Sequence, residues 1–223
     1  MRTFGATCRY TVLTLRLNLL WLPAELWALF ALITWLKRGD PRVFEVAGGF
    51  CAFVLPLVAG VLASSAVLDN PALELHLASP RGTAHVLLER EGLILTLIAV
   101  AALTFQAYLV LLGVDMSGLG SPVSRQAAWA LPTLVLMSLG CAGAFALRQS
   151  TGGALLVGLV WVLQLLGHEW FMRYEATRYL FVFMRAYRPR HSDLPINQVA
   201  LVCLSGTLFA CAWALFRRQE RYL

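Results

Sequence analysis

Apolar residues in this chain come in long runs rather than in the spaced pattern of a soluble amphipathic helix, and short charged patches separate them. The runs lie at approximately 18–36, 43–68, 92–114, 127–147, 153–171 and 198–216. At about 1.5 Å per residue, each is long enough to cross about 30 Å of hydrocarbon. The pattern predicts an all-α integral membrane protein with six transmembrane helices in one domain, residues 1–223. Pro23 interrupts the first run and Pro56 the second, kinks that a membrane helix tolerates when neighbours satisfy the freed backbone groups.

The stretches between the runs differ in kind. Residues 1–16 mix apolar side chains with Arg2, Arg9 and Arg16, which predicts an N-terminal interfacial helix. The first run extends to Leu36 and reads as a retained span, not a cleaved signal. Residues 37–42 form a tight polar turn, 115–126 a loop of turn formers with Gly118, Gly120 and Pro122, and 149–152 a very short link. Residues 172–197 are rich in arginine and aromatics. Their apolar centre, Leu180 to Met184, is too short to span, so a re-entrant or interfacial hairpin before the last span is expected. Gly140 and Ala144 form a small-xxx-small pair suited to close helix packing.

Composition narrows the function classes. Only 13% of residues are charged against 59% hydrophobic, and the mean hydropathy is +0.71. A soluble domain carries about a quarter charged residues, so no soluble catalytic domain is expected. The net charge of +6 does not point to nucleic acid, because the arginines sit at the edges of apolar runs where headgroups hold them. With six spans both termini share a side, taken as the cytoplasm. The 18 Lys and Arg then divide equally between the two sides, so the positive-inside rule does not choose. Of the five cysteines, Cys51, Cys141, Cys203 and Cys211 lie inside apolar runs, Cys8 does not, and there is no CxxC pair. They read as small buried hydrophobes.

Candidate chemistry inside the runs is sparse. Glu25 is a carboxylate within the first run, either on a substrate or proton path or paired with an arginine such as Arg16. Gln106 and Gln164 are polar positions that could lie on the same path, though hydrogen bonding between helices is the favoured reading. His168-Glu169 begins an HExxH pattern that fails at Met172, and His85 with Glu89 offers only two ligands, so no metal site is expected. The single lysine, Lys37, precedes Arg38, so the chain lacks the Lys-Ser/Thr pair of a P-loop.

Residues 69–81, Asp-Asn-Pro-Ala-Leu-Glu-Leu-His-Leu-Ala-Ser-Pro-Arg, have their own grammar. Asp69 or Asn70 can cap a helix, Pro71 suits its first turn, Leu73 and Leu77 share a face, and Ser79-Pro80 stops it before Arg81-Gly82. Thr83 can begin the helix that enters the third span. In this order — amphipathic lead, two spans, an acidic residue, a short helix ending Leu-Ala-Ser-Pro-Arg, four more spans — the chain resembles ABC-2 type permeases, the membrane subunits of ATP-binding-cassette exporters. Asp69, Glu74-Leu75, Leu77-Ala78-Ser79 and Pro80 carry the resemblance. Pro71-Ala72 departs from it, since relatives commonly place a glycine before the Glu-Leu helix.

The resemblance implies a cytoplasmic coupling helix in region 69–82, with Asp69, Leu73, Glu74, Leu75, Leu77, Ser79, Pro80 and Arg81 engaging a separate ATPase. It implies a second permease chain (homodimer or heterodimer), re-entrant helices over 172–197, and a multi-pass location in a prokaryotic cytoplasmic membrane. No cofactor is expected in this chain; ATP and magnesium belong to the partner. Two other classes fit the sequence less well. One is a non-transporting membrane scaffold or assembly subunit. The other is a membrane enzyme, which would need some of Glu25, His168 or Glu169.

Overall fold

The computed structural model describes residues 17–40, 42–66, 68–69, 83–116 and 121–219. Among these residues the chain is all-helical, without strands. Helix α1 spans Leu17–Leu36, α2 Val43–Ser65, α3 Thr83–Leu111, α4 Pro122–Leu147 and α5 Ser150–Leu166. Three short helices follow: α6 His168–Arg173, α7 Glu175–Tyr179 and α8 Met184–Tyr187. Helix α9, Leu194–Gln219, is the last.

Among the described residues four helices are long and apolar enough to cross a membrane: Val43–Ser65, Leu87–Leu111, Pro122–Leu147 and Leu194–Arg218. Trp21–Leu36 and Ser150–Leu166 are apolar but shorter. Leu29, Leu32, Val110, Leu155, Leu159 and Val199 stand exposed on the outside of the bundle. A continuous apolar exterior of this kind is unfavourable in water and natural in lipid. The chain is transmembrane.

Several boundaries follow from local chemistry. Helix α3 is described from Thr83 onward. Helix α4 starts at Pro122, which the sequence assigned to a loop. Ser121 caps it by accepting a hydrogen bond from the Ser124 N–H at 3.2 Å, and Pro122 loses nothing by lacking an N–H in the first turn. The link from α4 to α5 is only Arg148 and Gln149. It closes because Arg148 takes the left-handed conformation (φ 56°) and its N–H bonds back to the Ala144 carbonyl. Cys203 and Cys211 are exposed on α9, facing outward rather than buried as expected; Cys141 is buried.

The core has two contrasting joints. Helices α2, α4 and α5 meet at glycines. A Cβ on Gly140 would overlap the Gly60 carbonyl, and one on Gly153 would lie 2.7 Å from the Gly140 oxygen and 2.9 Å from the Ala144 Cβ. The Gly140–Ala144 face is thus where α5 docks, backbone against backbone. Helices α1, α2 and α3 meet instead through aromatic rings, Trp27, Phe30, Phe50, Phe105 and Tyr108, with centroids 4.5–6.2 Å apart. The Tyr108 hydroxyl donates to the Ala31 carbonyl at 2.9 Å across this joint.

Candidate functional site

The bundle has two ends of different character. At one end α2 closes at Ser65 and α3 is described from Thr83 onward. Asp69 is half-buried and its N–H bonds to Ser65 O at 3.2 Å. Leu73, Glu74, Leu75, Leu77, Ser79, Pro80 and Arg81 lie outside the described residues, as do residues 1–16 of the expected interfacial helix. Two turns into α3, Arg90 and Glu91 are buried. The Arg90 guanidinium donates to the Ala66 carbonyl at the end of α2, and Glu91 lies against the Cys141 thiol. Sequence reasoning missed both, because the third apolar run was counted from residue 92. Glu25, on α1, is exposed, and among the described residues no ion pair involves it.

At the other end the segment after α5 folds into a cap. Phe181, Val182, Phe183 and Met184 are fully buried against Val135, Leu136 and Val157, the middle portions of α4 and α5. A loop with its backbone among apolar helices needs its polar groups satisfied. Two amides do this. Gln164 Oε1 accepts from the Val182 N–H at 2.9 Å while its Nε2 donates to the Leu180 carbonyl at 3.4 Å. Asn197 Nδ2 lies 3.0–3.2 Å from the carbonyl oxygens of Arg178, Tyr179 and Phe181. Arg178 closes the outside, bonding Asp193 Oδ2 at 2.6 Å and the Met172 carbonyl at 3.2 Å. Its hydrogen bond holds the Asp193 carboxyl below the usual carboxylate range. Both polar atoms of the Gln164 side chain thus bond the cap.

Beside the cap is a cavity of about 500 Å³, bounded by the start of α2, the end of α3, the start of α4 and the α8 turn. Its apolar walls include Phe44, Phe53, Leu109 and Met116. Glu45, Gln106, Arg125 and Tyr187 bring polar groups to it. Gln106 exchanges amide hydrogen bonds with Gln126 at 3.0 and 3.3 Å, and Gln126 Oε1 also accepts from Trp129, so the Gln106 head is held in place. Arg125 is half-buried, and its Nε is enclosed without a hydrogen-bond partner among the described residues. Sequence reasoning counted Arg125 as a loop charge; a basic residue three positions into a proline-started helix was the available signal.

The backbone around this cavity is also irregular. Residues Phe50–Val54 form a π-helical turn in which the Leu55 N–H reaches Phe50 O, five residues back. The Cys51 carbonyl therefore loses its usual donor, and Pro56 has no N–H to give the Ala52 carbonyl. Pro132 likewise withholds a donor from the Ala128 carbonyl. Cys51, Ala52 and Ala128 all line the cavity. The Phe53 carbonyl is met from outside the helix by the Trp161 indole at 2.9 Å.

No three His, Cys, Asp or Glu side chains cluster as metal ligands among the described residues. No family model matches the chain, and no curated protein or solved structure does so either.

Proposed function

We propose that the chain is the permease subunit of an ABC-2-like transporter, exporting a substrate with ATP hydrolysed by a separate ATPase. In this reading α1 and α5 also cross the bilayer, giving six spans, and α6–α8 form a re-entrant hairpin. Two permease chains pair, and both termini face the cytoplasm of a prokaryotic cell. The observation that carries it is the cap. A segment between the fifth and sixth long helices dips its Phe181–Met184 turn to the mid-bundle residues Val135, Leu136 and Val157. It does so at the end opposite the one where α2 closes, before residues 69–82 lead to the third long helix. A coupling helix on one face and re-entrant helices on the other are what the sequence resemblance implies.

Mechanically, a push on residues 69–82 would reach α3 through Arg90, which ties the start of that helix to Ala66 at the end of α2. Co-purification with candidate ATPases tests the reading directly. The native chain should retain one ATPase, and the double variant Glu74→Arg, Leu77→Asp should release it. A correctly inserted native chain that retains none would move the assignment to a membrane scaffold.

A further inference from the structure

We infer that the cavity between α2, α3, α4 and the α8 turn binds the head of a single-chain zwitterionic amphiphile, its acidic group on Arg125 and its ammonium group near Glu45.

The charges are the first ground. Arg125 and Glu45 both line the cavity, yet no ion pair joins them among the described residues. A simple anion would be drawn by one and repelled by the other, and so would a simple cation. A ligand bearing both charges satisfies both walls, and the enclosed Arg125 Nε gains the partner it lacks. The backbone is the second ground. Carbonyls of Cys51, Ala52 and Ala128 have lost their usual helical donors to the π-turn, Pro56 and Pro132, and these residues line the same cavity. Irregular backbone at membrane depth persists where it is buried in protein or lines a polar cavity. An ammonium group supplies donors for such carbonyls; a sulfate or phosphate alone does not.

Size and surroundings fix the remainder. About 500 Å³ lies within the range of sites that enclose a drug-sized molecule. That admits a polar head and part of one chain along Phe44, Phe53 and Leu109. The cavity sits where α2 and α4 begin and α3 ends, the level at which a lipid head group lies relative to spanning helices. The inference stands on the cavity alone and requires no ATPase.

The test uses the whole chain in an uncharged maltoside detergent, with binding read by native mass spectrometry and by the shift in thermal midpoint. The probes are lysophosphatidylethanolamine, lysophosphatidylglycerol, an alkyltrimethylammonium of equal chain length, and glycerophosphoethanolamine, which has the head without the chain. The zwitterionic lysolipid should bind at least about tenfold tighter than the other three, as one charge-assisted bond suffices for that ratio. Arg125→Gln should remove about tenfold or more of that affinity. Glu45→Gln, at an exposed position that does not threaten folding, should turn the preference toward the anionic lysolipid. Equal affinity for every head group, or an unchanged preference in Glu45→Gln, would overturn the inference. Tight binding of the chainless head would overturn its amphiphile component.

Discussion

Helices α2, α4 and α5 meet twice, and the two meetings are built on opposite principles. Near the 69–82 end they touch at Gly60, Gly140 and Gly153, with backbone atoms where side chains would otherwise stand. At the other end a cavity opens beside α2 and α4, and a cap held by Gln164 and Asn197 packs between the long helices. In a bilayer, apolar side chains gain little by leaving lipid for protein, so association rests on close packing and internal hydrogen bonds. The glycine joint uses the first and the cap joint the second. One can be lost to a single methyl group; the other comes apart bond by bond.

The sharpest way to break the first joint is Gly140→Ala. Its Cβ would overlap backbone at Gly60, so the cost should reach about 3 kcal/mol or more, at or beyond the usual overpacking range. Thermal unfolding in detergent should show a large drop in midpoint, and an unchanged midpoint would mean the helices are not in backbone contact. At the cap, Asn197→Ala should cost less, about 1–3 kcal/mol for the carbonyls left without a donor. Hydrogen exchange should show the loss confined to residues 178–182 and their neighbours, with the glycine joint still protected.

Helix α5 provides its own control. Gly158 has open space where a Cβ would go, unlike Gly153 on the same helix. Gly158→Ala should therefore stabilise by about 0.5–1 kcal/mol, through helix propensity alone. The smallest effect belongs to the Arg178–Asp193 pair at the cap surface. Because the folded-state pKa of Asp193 is depressed, its contribution is present above the ordinary Asp value of about 3.9 and fades as pH falls below it. Cap protection at pH 3 should drop toward that of Asp193→Asn, while the variant itself shows no such pH response.

Much of the bundle was legible in the sequence because bilayer length and apolar runs are local properties. The close-packing face at Gly140 and Ala144 could be read from neighbouring residues. Their partners could not. Nothing near Gly140 points to Gly60, 80 positions earlier in the chain, or to Gly153. Gln164 stood out as polar within a run, but it bonds main-chain atoms of residues 180 and 182, and backbone carries no sequence signature. Arg125 was hidden by Pro122, which reads as a loop former until Ser121 is seen to cap the helix it starts. Glu91 missed notice by one position, since hydropathy ends a run at the first charge even where the helix continues.

The π-turn at Phe50–Val54 gives α2 a change of phase. One extra residue in a turn rotates everything beyond it by about 100° around the helix axis. The side of α2 that holds Phe44, Gly48 and Gly49 against the cavity is therefore offset from the side that sets Gly60 on Gly140. Removing one residue from 50–54 would give a regular helix with both faces still aimed, whereas making the turn regular without a deletion would swing one of them away by about 100°. The helix is two half-helices joined out of register, each answering to a different neighbour.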